Sequence, residues 1–125
     1  MNLQEIENLK SILTQFVIKG YNIKCFTPHN TTSSKISGKI IGIGFKPLWA
    51  SPIDYKIDQI ELNYIDQKGN LKPYYLYNVI GYEIISYDGK ELESSNNISF
   101  NIHLYSPTRS ANNKSFEKIR IDISK

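Results

Sequence analysis

Cysteine occurs once in the 125 residues, as Cys25. A single thiol excludes an intrachain disulfide framework and any multi-cysteine metal site. Histidine occurs only as His29 and His103, and no His-x-His, Cys-x-x-Cys or acidic-loop spacing surrounds either. No metal site and no cofactor are therefore expected. No apolar run approaches the length of a membrane-spanning helix. The opening Met1-Asn2-Leu3-Gln4-Glu5 lacks the basic and apolar regions of a signal peptide, so a cytoplasmic location is the expectation. Arginine is confined to Arg109 and Arg120 and alanine to Ala50 and Ala111, against abundant isoleucine, lysine, asparagine and tyrosine. That slant is what an AT-rich coding sequence produces, and it suggests a low-GC bacterium or one of its mobile elements. The sequons at Asn30, Asn97 and Asn113 read as by-products of the same bias.

What is present begins with one clear helix. Leu3, Ile6, Leu9, Ile12, Leu13, Phe16 and Val17 recur at helical spacing, with Glu5, Glu7, Asn8, Lys10 and Gln15 opposite. Asn2 and Glu5 have capping-box spacing. Lys19 suits the negative end of the helix dipole, and Gly20 supplies a left-handed stop.

Beyond Gly20 the period changes to two. Tyr21, Ile23 and Cys25 alternate with polar residues, and Pro28 opens a polar loop over 28–35. A second strand over 36–45 carries Gly38, Gly42 and Gly44, which fits strong curvature at a barrel corner. Residues 46–52 read as a loop bracketed by Pro47 and Pro52. A long strand over 53–65 changes parity near Asp58-Gln59, which suggests a bulge. Asp66-Gln67-Lys68-Gly69-Asn70 has the signature of a hairpin turn, and the return strand over 72–87 is broken at Gly81. Asp88-Gly89 suggests a tight type I′ turn. Two further alternating strands cover 98–105 and 119–123, separated by a polar loop over 106–115. The expected fold is α+β, as one domain over 1–125: a helix over about 3–19, then a β-rich region over 21–124. The amphipathic helix packs on a curved antiparallel sheet, or on a small partly open β-barrel, of about six or seven strands.

Catalytic patterns are weak. Gly38 to Gly44 resembles a phosphate cradle in spacing alone, because Pro47 stands where a dinucleotide fingerprint needs glycine and no Gly-Lys-Ser/Thr follows. Cys25 shares the parity of Ile23, which makes it a core residue rather than a nucleophile toward His29. His103 lies on the polar side of its strand with no spacing rule tying it to a carboxylate. The acids between Asp54 and Glu93 suit turns better than paired catalysis. No catalytic residue is assigned, and the reading leans against an enzyme.

The segment Ile60-Glu61-Leu62-Asn63-Tyr64-Ile65-Asp66-Gln67-Lys68-Gly69, with Pro73, Leu76 and Ile80-Gly81-Tyr82, resembles the barrel half of WYL-type ligand-sensing domains. The Trp-Tyr-Leu core that names that family is missing, so no family is assigned and no site is carried over.

Charge is segregated. Residues 8–53 carry six lysines and no acid, residues 54–93 carry eight acids against four lysines, and residues 94–125 carry five bases against two acids. Lys35, Lys39, Lys46, Arg109, Lys114 and Arg120 are the candidate basic patch, with tyrosines near it available to stack on bases. The expected function is a non-enzymatic binding or accessory protein that contacts an acidic partner, either single-stranded nucleic acid or an acidic protein surface. One alternative is a protein inhibitor or immunity-type protein anchored by Trp49, in its proline-bracketed loop. Another is a small-molecule or enzymatic cavity inside the curved sheet, faced by His103 or Tyr105. No membrane contact is expected, and an edge strand offers a route to a homo-oligomer.

Overall fold

The computed structural model describes residues 1–27, 33–46, 48–50, 55–105 and 116–125. The helix α1 spans Leu3–Lys19 and has the expected caps. Asn2 Oδ1 accepts from the Glu5 N–H at 2.8 Å, and the Asn2 N–H donates to Glu5 Oε1 at 3.3 Å. Gly20 closes it at φ 66, a left-handed geometry that costs other residues strain. Ile6, Leu9, Leu13 and Phe16 are buried, whereas Leu3, expected in the same stripe, is half exposed. It falls in the first turn, where Met1 and Ile6 are the buried residues instead.

Among the described residues seven strands follow, all antiparallel: β1 (Asn22–Phe26), β2 (Ile36–Phe45), β3 (Leu48–Ala50), β4 (Tyr55–Asp66), β5 (Leu71–Tyr87), β6 (Asn97–Tyr105) and β7 (Phe116–Ser124). Their order is β2-β1-β7-β6-β5-β4-β3, and β2 also pairs with β4. Six strands thus close in a ring that is not a regular barrel. β3 lies within the segment expected to be loop. It continues the line of β2: Gly44 pairs with Glu61 and Phe45 with Ile60, then Leu48 pairs with Ile57 in the same register. Between them the Lys46 N–H donates to the Gln59 carbonyl at 2.9 Å. Strand β4 is long enough to template both, so pairing resumes past residue 47.

Two strands change partners along their length. β2 pairs with β1 through Ile36–Lys39 and with β4 through Gly38–Phe45. β5 pairs with β4 through Leu71–Val79 and with β6 through Val79–Tyr87. The ring is therefore two sheets joined by two bent strands. The smaller comprises the later part of β2, β4 and the first part of β5, with β3 appended. The larger comprises the rest of β5, then β6, β7, β1 and the start of β2.

Special backbone marks the bends. A Cβ at Gly38 would collide with the Ile65 carbonyl, so the close approach of β2 to β4 requires glycine there. Gly42 and Gly44 have room for a methyl, so of the three glycines only Gly38 is demanded by sterics. The register of β2 shifts between Ile40 and Gly42, and that of β5 shifts after Val79 and after Ile84. Through the first of these shifts β5 continues past Gly81, where the sequence suggested a break. Asn78 adopts φ 55. The parity change near Asp58-Gln59 is present, since Ile57 and Ile60 are both buried. No bulge accompanies it: Ile57↔Val79 and Gln59↔Tyr77 keep one register, so β4 and β5 turn over together opposite Asn78.

Gly69 sits at φ 83 in the first hairpin turn, where Asp66 Oδ1 accepts from the Lys68 and Asn70 N–H groups, both at 2.9 Å. The expected type I′ turn at Asp88-Gly89 is replaced by a longer connection containing a 3-10 turn at Leu92–Ser94. Asp88 accepts from the Asn96 and Asn97 N–H groups at 2.8 and 3.1 Å, which anchors its two ends. Gly89 is needed there for room, because its Cβ would meet Ser94 Oγ at 2.8 Å and Ser95 Oγ at 2.9 Å. One apolar cluster joins the helix stripe to Ile23, Ile40, Leu62, Leu76, Phe100 and Ile121. Cys25 is part of it, its thiol pushed well above the usual range by burial.

Candidate binding face

The outer faces of the two sheets differ in chemistry. On the larger sheet the polar side chains satisfy one another. Glu83 Oε1 accepts from Asn101 Nδ2 at 3.0 Å and Lys118 Nζ at 3.2 Å, with His103 Nε2 at 3.5 Å. Hydrogen bonds from Asn101, Lys118 and His103, in that order, and the Lys118 charge bring the Glu83 carboxyl down to about 2. Ser99 Oγ donates to Asp122 Oδ1 at 2.7 Å, and Arg120 reaches Asp122 Oδ2 at 3.3 Å while its guanidinium lies 4.2 Å from the Phe26 ring centre. Ile102 turns into the ring and His103 turns out, so His103 faces away from the interior. Many of the polar groups of this face are thus engaged with one another, while Tyr105 on the same side of β6 is exposed.

The outer face of the smaller sheet is open. Cross-strand pairing sets four rows along it, from β2 through β4 to β5. Lys39, Ile65 and Leu71 form the first row, and Gly42, Asn63 and Pro73 the second. Gly44, Glu61 and Tyr75 form the third. The Lys46 N–H bonds to Gln59, and Gln59 pairs with Tyr77, which gives the fourth. These residues alternate with buried Ile60, Leu62 and Leu76. Tyr75 and Tyr77 are 39% and 55% exposed, and their rings stack at 6.1 Å between centres and 24° between planes. The Tyr75 phenol hydrogen-bonds Glu61, whose carboxylate charge raises it above its ordinary value. Glu61 in turn leans over Gly44, beside a hollow of about 230 Å³ bounded by Gly44, Lys46 and Gln59. Gly42 and Gly44 carry no side chain of their own, and Asn63 and Glu61 of β4 lean over them. Lys39 and Lys46 are exposed and stand at opposite ends, about 20 Å apart along the strand.

The candidate residues thus separate. Lys46 lies on the tyrosine face; Lys39 stands in its first row, with its side chain leaning toward Gly20 at the helix C-cap. Lys35 lies beyond its first row, in a cleft with Ser34, Ser37, Asp66, Lys68 and Lys72. Arg120 belongs to the other sheet. Arg109 and Lys114 lie outside the described residues, as does the Trp49 side chain; the Trp49 backbone pairs with Lys56. Tyr75, Tyr77, Lys68 and Lys72 were not singled out from sequence. The signal was in Tyr74-Tyr75-Leu76-Tyr77: once Leu76 is placed inside, its two neighbours must point out.

Among the described residues no group of three or more histidine, cysteine or acidic side chains could hold a metal, and no helix is long and apolar enough to cross a membrane. Comparison with known proteins returns no matching family model, no curated relative and no matching solved structure.

Proposed function

We propose that this protein is a non-enzymatic binding module that holds single-stranded nucleic acid on the outer face of its smaller sheet. The observation that carries the reading is the stacked, exposed Tyr75–Tyr77 pair on a face flanked by Lys39 and Lys46. Bases have a π-face of any sequence to offer such a platform, and alanine replacement of a stacking aromatic costs about 1–3 kcal/mol per base. Exposed lysines at both ends supply backbone charge contacts. Glu61, engaged by Tyr75, fixes one ring and places one acceptor for a base edge.

The test is anisotropy of a labelled oligothymidylate across a salt series. Binding should weaken with salt by a log–log slope of about −0.7 per phosphate contact, and Lys46→Ala should make that slope shallower by about 0.7. Tyr77→Ala should weaken binding roughly five-fold or more at every salt concentration. No binding at low salt, or Tyr75→Ala/Tyr77→Ala protein binding as wild type does, overturns the reading.

A second reading is an acidic protein surface in place of nucleic acid. Exposed Ile41, Ile65 and Leu71 at the Lys39 end favour it. Leu71→Ala should then abolish capture of that partner, while under the first reading it leaves oligonucleotide affinity within about two-fold.

A further inference from the structure

We infer that the cleft beyond the first row of the tyrosine face is an anion site for a phosphate monoester, the terminal phosphate of a bound strand. The inference rests on the nucleic-acid reading of that face. The cleft has a volume of about 380 Å³ and lies between the end of the β1–β2 connection and the β4–β5 turn. Ser34, Lys35, Ser37, Lys68 and Lys72 line it, with Asp66 as its acid. Asp66 is already engaged: Oδ1 accepts two backbone N–H groups of its own turn, and Oδ2 meets Lys72 Nζ at 3.2 Å. These contacts hold its carboxyl below the usual range, so it stays charged and neutralises Lys72 in part.

Lys35 and Lys68 are both exposed. Three ammonium groups against one carboxylate leave two positive charges, the complement of a dianion. An internal phosphodiester carries one negative charge, whereas a terminal phosphate carries about two above its second pKa near 6. The Ser34 and Ser37 hydroxyls add donors for the remaining oxygens. Position agrees with charge. Lys39, Ile65 and Leu71 form the first row of the face, and Asp66, the next residue of β4, enters the cleft. Asp66 and Lys72 stand one residue from that row and so turn to the other side of the sheet; a strand lying along Tyr77 and Tyr75 past Leu71 reaches the cleft over the end of the sheet.

The test compares oligothymidylates carrying a 5′-phosphate, a 3′-phosphate or neither, with inorganic phosphate as a separate titrant followed by amide shifts of Ser37 and Gln67. One phosphorylated end should bind roughly ten-fold tighter than the bare strand at low salt. Lys35→Ala/Lys68→Ala should remove that preference while leaving the bare strand's affinity within about two-fold. The preference should also shrink between about pH 7.5 and 5.5 as the phosphate loses its second charge. Amide shifts with inorganic phosphate alone, and no preference for a phosphorylated end, would make the cleft a free-phosphate site and overturn the strand-end assignment. Equal affinity for all three strands with no amide shifts would remove the anion site while leaving the tyrosine face standing. Failure of every strand to bind would instead remove the nucleic-acid reading and this inference with it.

Discussion

At the scale of single residues, the structure separates positions that look alike in sequence. Gly38 and Gly44 share one strand, yet only Gly38 faces a backbone carbonyl too close for any side chain. Gly38→Ala should cost about 3 kcal/mol or more, and Gly44→Ala should stay within about 0.5 kcal/mol, both read by urea unfolding. Glu83 gives a second contrast. Its carboxyl sits near 2 in the folded protein, below the ordinary 4.5. A depressed acid stabilises the fold above its unfolded value and loses that contribution as pH falls through its folded one. Stability should therefore decline from about pH 4.5 toward 2, and Asp66 and Asp88, also lowered, act with the same sign. The Glu83→Gln variant should be less stable than wild type at neutral pH, with the two curves converging near pH 2. Denaturant midpoints measured across that range check it.

At the scale of elements, what could be read from sequence was what local chemistry decides. Asn2, Glu5 and Gly20 announced both ends of α1, and Asn2→Ala should cost about 1 kcal/mol by thermal unfolding. The alternation in β1, β6 and β7 was legible for the same reason: each strand has one wet face and one dry. Three features were not legible because they depend on a neighbour. Residues 48–50 pair only because β4 extends past β2. Asp88-Gly89 looks like a two-residue turn until Ser94 and Ser95 fold back against it. The turn-over at Asn78 needs both β4 and β5 to switch faces at once. The binding face was legible in part. Lys39 and Lys46 were named, but the tyrosines between them are supplied by a strand two places away in the sheet.

Edge protection is decided at this scale too. Among the described residues, β5 pairs through Leu71–Asn78 with β4, and its pairing with β6 begins at Val79. Pro73 lies in that stretch, and a proline breaks the row of donors another chain would need. Pro73→Val should promote concentration-dependent association, detectable by size-exclusion chromatography with light scattering. A variant that stays monomeric at high concentration would show that the edge is guarded by something else.

At the scale of the whole molecule, closure joins the first and last of the described strands. β1 pairs with β7 from Asn22↔Ser124 to Phe26↔Arg120. Loop closure of that span is entropically costly, which places folding in the millisecond-to-second range of non-local β topologies. Ile121 is fully buried at this seam, opposite Cys25 on one side and Phe100 on the other. Ile121→Ala should cost about 2–5 kcal/mol. If the seam forms after the transition state, the loss appears in a faster unfolding arm of the chevron with refolding little changed.

The partner exchange along β5 has a consequence for how the molecule opens. Among the described residues, Val79 is the one residue of that strand paired on both sides, and on β2 the shared stretch is Gly38–Lys39. So little backbone overlap lets the smaller sheet breathe without unzipping the larger. Amide hydrogen exchange should then divide the ring into two cooperative units of different protection, with the boundary falling inside single strands rather than between them. A ligand lying along the smaller sheet would slow exchange in that unit alone.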